Sequence, residues 1–137
     1  MQEIQGGVTA AKGFWAAGAE ANIKYKNRKD MAMVSELYFD NLSISPDKRE
    51  VTRNNRKIKL TFTEFEILFL LAQNPGKVFS KEQIYDIVWK ESYSGDYNIV
   101  MSHIRNIREK IEDNPSKPIY IQTVWGVGYR FNKNLIA

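Results

Sequence analysis

The sequence predicts an α+β domain: a small antiparallel sheet, three short helices and a closing β-hairpin. Three observations carry that prediction. Short β-prone segments separated by turn formers fill residues 37–60, and two helix-start signatures follow within the next thirty residues or so. From 97 to 113, aliphatic residues recur at helical spacing. Beyond Pro115 and Pro118 the chain alternates, turns on glycine and returns.

The totals narrow the possibilities. A chain of 137 residues suffices for one domain with a real core plus an extension. Hydrophobic content of 43% and aromatic content of 12% suit a folded globule. No apolar run approaches membrane-spanning length, and the opening Met1-Gln-Glu-Ile-Gln lacks a basic segment followed by an apolar stretch. The expectation is a cytoplasmic chain with no membrane partner. With no cysteine and only His103, neither a disulfide framework nor a thiolate or histidine metal centre is expected, and no cofactor. No catalytic constellation surrounds His103, so the chain is not expected to be an enzyme.

Charge is distributed unevenly. Residues 48–59 hold six basic residues and one acidic residue, residues 61–96 hold six acidic and three basic, and residues 97–137 hold six basic and three acidic. A molecule polarised in this way suits a polyanionic partner. The basic stretch at 48–59 reads as a solvated strand face.

Taken in order, residues 1–36 form an extension that differs in texture from the domain at 37–137. The extension is small-residue and Gly-rich, broken by Tyr25-Lys-Asn-Arg-Lys-Asp30. Strands are expected at Leu37-Tyr-Phe39, Leu42-Ser-Ile-Ser45, Glu50-Val-Thr-Arg53 and Lys57-Ile-Lys-Leu60, with Asn54-Asn55 as a two-residue hairpin turn. The first helix is expected to start on a capping box of Thr63 and Glu66, to bury Phe65, Leu68, Phe69, Leu71 and Ala72, and to stop at Asn74-Pro-Gly76. Ser80 and Gln83 repeat the capping signature for a second helix with Ile84, Ile87 and Val88 on its apolar side.

The third helix follows a polar loop at 90–96, with Asn98 as the expected N-cap. Val100, Ile104, Ile107 and Ile111 form one stripe, spaced four, three and four apart. Asn98, Ser102, Arg105, Asn106 and Glu109 share the opposite face, with Arg108 at its edge. Arg, Asn and Ser presented together on one helix can pair with base edges in a DNA major groove. Ile119-Tyr-Ile-Gln-Thr-Val124 alternates like a half-buried strand, Trp125-Gly-Val-Gly128 turns, and Tyr129-Arg-Phe131 returns. Gly126 and Gly128 do not form a dinucleotide loop, because the turn joins two strands rather than a strand and a helix. Three short helices followed by a glycine-turned hairpin follow the winged helix-turn-helix plan.

Two resemblances accompany this reading. Leu60-Thr-Phe-Thr-Glu-Phe-Glu-Ile-Leu68, Asn74-Pro-Gly-Lys-Val-Phe-Ser80, Val88-Trp89, His103-Ile-Arg-Asn-Ile-Arg-Glu-Lys110 and Ile121-Gln-Thr-Val-Trp-Gly-Val-Gly-Tyr-Arg130 resemble the effector domain of OmpR/PhoB-type response regulators. The resemblance implies sequence-specific binding of double-stranded DNA by a transcription regulator of two-component type. It implies that the helix at 97–113 enters the major groove while the wing at 119–131 meets backbone and minor groove. Asn98, Ser102, Arg105, Asn106, Arg108 and Lys110 then fall on the DNA side of the helix, and Thr123, Trp125 and Arg130 on the wing.

Where the family often carries an arginine, this sequence has Asn98 and Trp125, so phosphate anchoring is expected to lean on Arg105, Arg108, Lys110 and Arg130. The loop at 90–96 matches a segment that can touch RNA polymerase in such regulators. Residues 1–36 are too short for a receiver domain, so phosphorylation control is not expected here. The chain is expected to be a monomer that pairs on direct repeats of DNA. Separately, Gly6-Gly-Val-Thr-Ala-Ala-Lys-Gly-Phe14 with Asp30-Met-Ala-Met-Val-Ser-Glu36 resembles the amino terminus of glutamate/ornithine N-acetyltransferases, without that family's catalytic threonine. The alternatives are a winged helix used for protein interaction and an inactive acetyltransferase fragment fused to it.

Overall fold

A computed structural model describes residues 36–91 and 96–135. The sheet, apart from Ile58 at its end, belongs to one compact unit, and Ile58–Leu135 form a second.

In the first unit, β1 (Leu37–Phe39), β2 (Leu42–Ser45), β3 (Glu50–Arg53) and β4 (Arg56–Ile58) form a meander in the order β1-β2-β3-β4. Register follows the burial pattern: Leu37 and Val51 both pair with Ile44, so apolar side chains share one face. Phe39, Leu42, Ile44 and Val51 are buried. Asn54 and Asn55 make the expected tight turn, with φ of 53° and 66°. Asparagine tolerates this left-handed backbone, and two such residues in succession match the twist of a hairpin. The last strand runs from Arg56 rather than from Lys57 to Leu60.

In the second unit, α1 (Phe62–Gln73), α2 (Lys81–Trp89) and α3 (Tyr97–Ile111) precede β5 (Ile121–Val124) and β6 (Gly128–Phe131). A 3-10 turn at Lys133–Leu135 follows. Helix α1 packs on α2, α3 and β6, while α2 packs on α3. The stripe of α3 is fully inside: Val100, Ile104, Ile107 and Ile111 are each exposed by 1% or less. Burial of each such side chain stabilises the fold by about 1.5–3 kcal/mol. Leu68, Leu71, Ile84, Tyr120, Ile121 and Phe131 complete this core.

Several expectations need correction. Helix α1 is capped by Thr61, not Thr63, and the box is closed by Glu64, not Glu66. Thr61-Phe-Thr-Glu-Phe-Glu66 carries the same spacing twice, and the earlier register lets a buried Glu64 also reach Lys110 at 2.6 Å. Ile67 and Glu64 join the buried face of α1, whereas Phe69 is half-buried and stacks on Phe65. The box of Ser80 and Gln83 stands as expected.

On α2, Ile87 is exposed and Tyr85 is buried instead, with its ring stacked 4.7 Å from that of Trp89. Helix α3 is capped by Asp96, whose carboxylate accepts from the Asn98 backbone N–H, so Asn98 lies in the first turn. It ends at Ile111, and Glu112 is already extended. Ile119 is exposed, and β5 begins two residues later.

Candidate nucleic-acid interface

Helix α3 is held from both sides, and this fixes which face it presents. On one side Lys110 pairs with Glu64 of α1. Burial alone would raise the Glu64 pKa, but the hydrogen bond from Lys110, the Thr61 backbone N–H and the charges of Lys110 and His103 outweigh it. The carboxyl is held below its ordinary value. His103 turns the same way: Nδ1 bonds the Ile99 carbonyl at 2.7 Å, and the ring meets Trp89 edge-on at 5.5 Å.

On the other side Arg108 reaches β5. Its Nε and Nη2 donate to the Ile121 carbonyl at 3.2 and 3.0 Å, and Nη2 also donates to Thr123 Oγ1 at 2.7 Å. The guanidinium also lies 5.6 Å from the centre of the Tyr129 ring. Burial lowers the Arg108 pKa, opposed by Tyr129 and Glu112, and an arginine keeps its charge at neutral pH regardless.

Glu112 secures the same junction four residues on. Buried at the end of α3, its two carboxylate oxygens accept from the backbone N–H groups of Ile119, Tyr120 and Ile121 at 2.7–3.2 Å. The Tyr120 and Ile121 groups would otherwise be buried donors without acceptors, at a cost of about 1–3 kcal/mol each.

Outward on α3 lie Asn98, Ser102, Arg105, Asn106 and Glu109, all exposed, together with Met101 and the outer part of Lys110. Among the described residues, the side chains of Asn98, Ser102, Arg105 and Asn106 make no hydrogen bond or ion pair. An arginine and two carboxamides left unpaired on one convex face can meet the acceptor and donor edges of bases.

The wing projects beside this face. A three-residue loop joins Val124 to Gly128, closed by Val127 N–H donating to the Val124 carbonyl, with Gly126 at φ +79°. Trp125 at the tip is 89% exposed, and Val127 is exposed next to it. Arg130 donates through Nε to Gln122 across the hairpin. The wing is pinned at its base: Phe79 and Tyr129 exchange backbone hydrogen bonds of 2.8 and 2.9 Å, and Gly76 N–H reaches Phe131 O at 2.8 Å. Gly128 lies so close to this bridge that a Cβ there would strike the Phe79 carbonyl.

The residues singled out from sequence therefore divide. Asn98, Ser102, Arg105 and Asn106 share the outward face, and Trp125 stands at the tip. Thr123 and Arg130 are half-buried in the hairpin. Arg108 and Lys110 have internal partners, so the expected phosphate anchors are not equally available. Sequence reasoning missed Glu64 and Glu112, the carboxylates that hold α3, and Phe79, which pins the wing. Glu64 carries a local signal, the capping spacing from Thr61, whereas Glu112 and Phe79 act on residues further along the chain and carry no signal beyond position. Residues 92–95 of the loop expected to meet RNA polymerase, and the acetyltransferase-like stretch up to residue 35, lie outside the described residues. Among the described residues no helix is long and apolar enough to cross a membrane.

Helices α1 and α2 packed on α3, with a hairpin pinned beside it, define the second unit as a winged helix-turn-helix. Residues 55–131 match the family described as transcriptional regulatory protein, C terminal. The chain belongs to that family, the OmpR/PhoB-type effector domain. It is 51% identical over 105 residues to the transcriptional regulatory protein YcbL of Bacillus subtilis, covering 77% of this chain and 46% of that protein. The chain spans about half the length of the curated relatives it matches.

Among solved structures, the response regulator DrrB of Thermotoga maritima, an OmpR/PhoB homologue, superposes with a TM-score of 0.66 at 39% identity, over 72% of this chain and 44% of that one. The DNA-binding domain of Klebsiella pneumoniae RstA, solved in complex with the RstA box, superposes with a TM-score of 0.68 at 27% identity, over 74% of this chain and 100% of that one.

Proposed function

We propose that this chain binds double-stranded DNA sequence-specifically, as the effector part of a two-component transcription regulator acting in the cytoplasm. Helix α3 enters the major groove, and the wing meets the adjacent backbone and minor groove. The observation that carries the reading is the outward face of α3, where Asn98, Ser102, Arg105 and Asn106 project without partners among the described residues. Family membership and the likeness to a domain solved on its DNA box support it.

Arg105 and Asn106 read base edges in this account, Asn98 and Ser102 flank them, and Thr123, Trp125 and Arg130 meet the backbone at the wing. Arg130 carries most of the phosphate attraction, since Lys110 is shared with Glu64 and Arg108 with β5. The chain acts as a monomer that pairs on direct repeats of DNA, and the loop at 90–96 contacts RNA polymerase.

The test is a selection of preferred duplexes from a random pool, repeated with Arg105→Ala. The substitution should reduce discrimination at its contacted base by about 1–3 kcal/mol while general affinity survives. A variant that selects the same sequences with the same preference removes Arg105 from the reading. An unaltered chain that selects none removes the reading itself.

A further inference from the structure

Arg108 lies half-buried at the edge of the DNA-facing side of α3, yet three of its five N–H donors are committed inward. Of the five N–H donors of an arginine, Nε–H and those of Nη2 are directed at the Ile121 carbonyl and Thr123 Oγ1. Ile121 is thus gripped at both of its backbone groups. Its carbonyl is taken by Arg108 on α3 and its N–H by Glu112 Oε2, one residue past the end of α3, at 2.9 Å. Together these side chains fix one edge of β5 against the last turn of the helix.

Thr123 is affected in a second way. A hydroxyl that accepts from a guanidinium still has a proton to give, and that proton must turn away from the converging N–H groups. No described residue takes it. Thr123 is the third residue of β5, next to the exposed tip at Trp125.

We infer that Arg108 is a positioning residue: it holds β5 to α3 and turns the Thr123 hydroxyl outward, so that Thr123, and not Arg108, donates to a DNA phosphate beside the wing. The inference rests on the proposed DNA binding and adds a division of labour to it. An arginine that neutralised a phosphate would contribute about 0.9 to the slope of log affinity against log salt. A hydroxyl hydrogen bond leaves the phosphate charge in place and contributes none.

The experiment uses the full chain and its selected duplex, with each phosphate in turn replaced by a neutral methylphosphonate. The unaltered chain should lose about tenfold in affinity at one wing-side phosphate, the scale of a hydrogen bond to a charged group. Thr123→Val and Arg108→Gln should each abolish that sensitivity, the double variant should lose nothing more, and Arg108→Gln should keep the salt slope. Additive losses, or a slope lowered by about 0.9 in Arg108→Gln, overturn the inference while leaving DNA binding intact. If Arg108→Gln does not fold, Thr123→Ser against Thr123→Val decides. Serine should retain the sensitivity, and equal behaviour of the two overturns the inference. Failure of the unaltered chain to bind any duplex overturns the proposed function and the inference together.

Discussion

Gly128→Ala should be the most damaging single methyl in the wing, for a reason unrelated to glycine's backbone freedom. A Cβ at this position would collide with the Phe79 carbonyl oxygen, lie 2.7 Å from its carbon and 2.8 Å from the Ser80 Cα. All of these are backbone atoms, so no side chain can swing aside. Relief requires β6 to move off Phe79, which opens the two hydrogen bonds exchanged by Phe79 and Tyr129. At about 1–3 kcal/mol for each of the two bonds opened, the loss is about 2–6 kcal/mol. For a domain of this size that corresponds to a fall in Tm of about 10 °C or more. Gly126→Ala is the internal control. Nothing lies within 4 Å of a Cβ there, and only its φ of +79° is strained, which costs about 1–2 kcal/mol. Urea and thermal unfolding of both variants provide the comparison. If Gly128→Ala were no worse than Gly126→Ala, the wing would not be pinned at Phe79 as described.

Other perturbations bear on α3. Ile107→Ala should cost about 2–5 kcal/mol in urea unfolding, since it opens a cavity in a fully buried stripe; a loss below 1 kcal/mol would mean the stripe is not core. Asp96→Ala removes the acceptor for the Asn98 N–H and should cost about 1 kcal/mol, with no loss if the helix starts elsewhere. Glu64 has a carboxyl pKa below its ordinary 4.5, so its stabilisation is complete above that value and disappears as pH falls through the lowered one. Glu64→Gln should therefore flatten the decline of stability with acid. Parallel curves for the two proteins would remove Glu64 from that role.

Periodicity made much of this architecture legible. The four, three, four spacing of Val100, Ile104, Ile107 and Ile111 located the buried side of α3, and so its outward face as well. Asn54-Asn55 marked its hairpin because few residues tolerate two left-handed positions in succession. What failed were choices that local sequence leaves degenerate. Thr61-Phe-Thr-Glu-Phe-Glu66 offers the capping spacing twice, and the register is decided by Lys110, far along the chain. Ile87 fits the apolar side of α2 by type, but the rotation of the helix buries Tyr85 instead. Arg108 was legible as a cation at the edge of the right face. That its donors are occupied depends on Ile121 and Thr123, which return beside it only after the chain has turned.

The most direct measurement is the affinity of the full chain for its best selected duplex and for a scrambled one, followed across salt concentration. Sequence-specific groove binding predicts that the selected duplex binds more tightly at every concentration. Both affinities should fall linearly in log salt, because phosphate contacts release counterions. Arg105→Ala should bring the two affinities together. Equal affinity for the two duplexes in the unaltered chain, or binding that ignores salt, would contradict it.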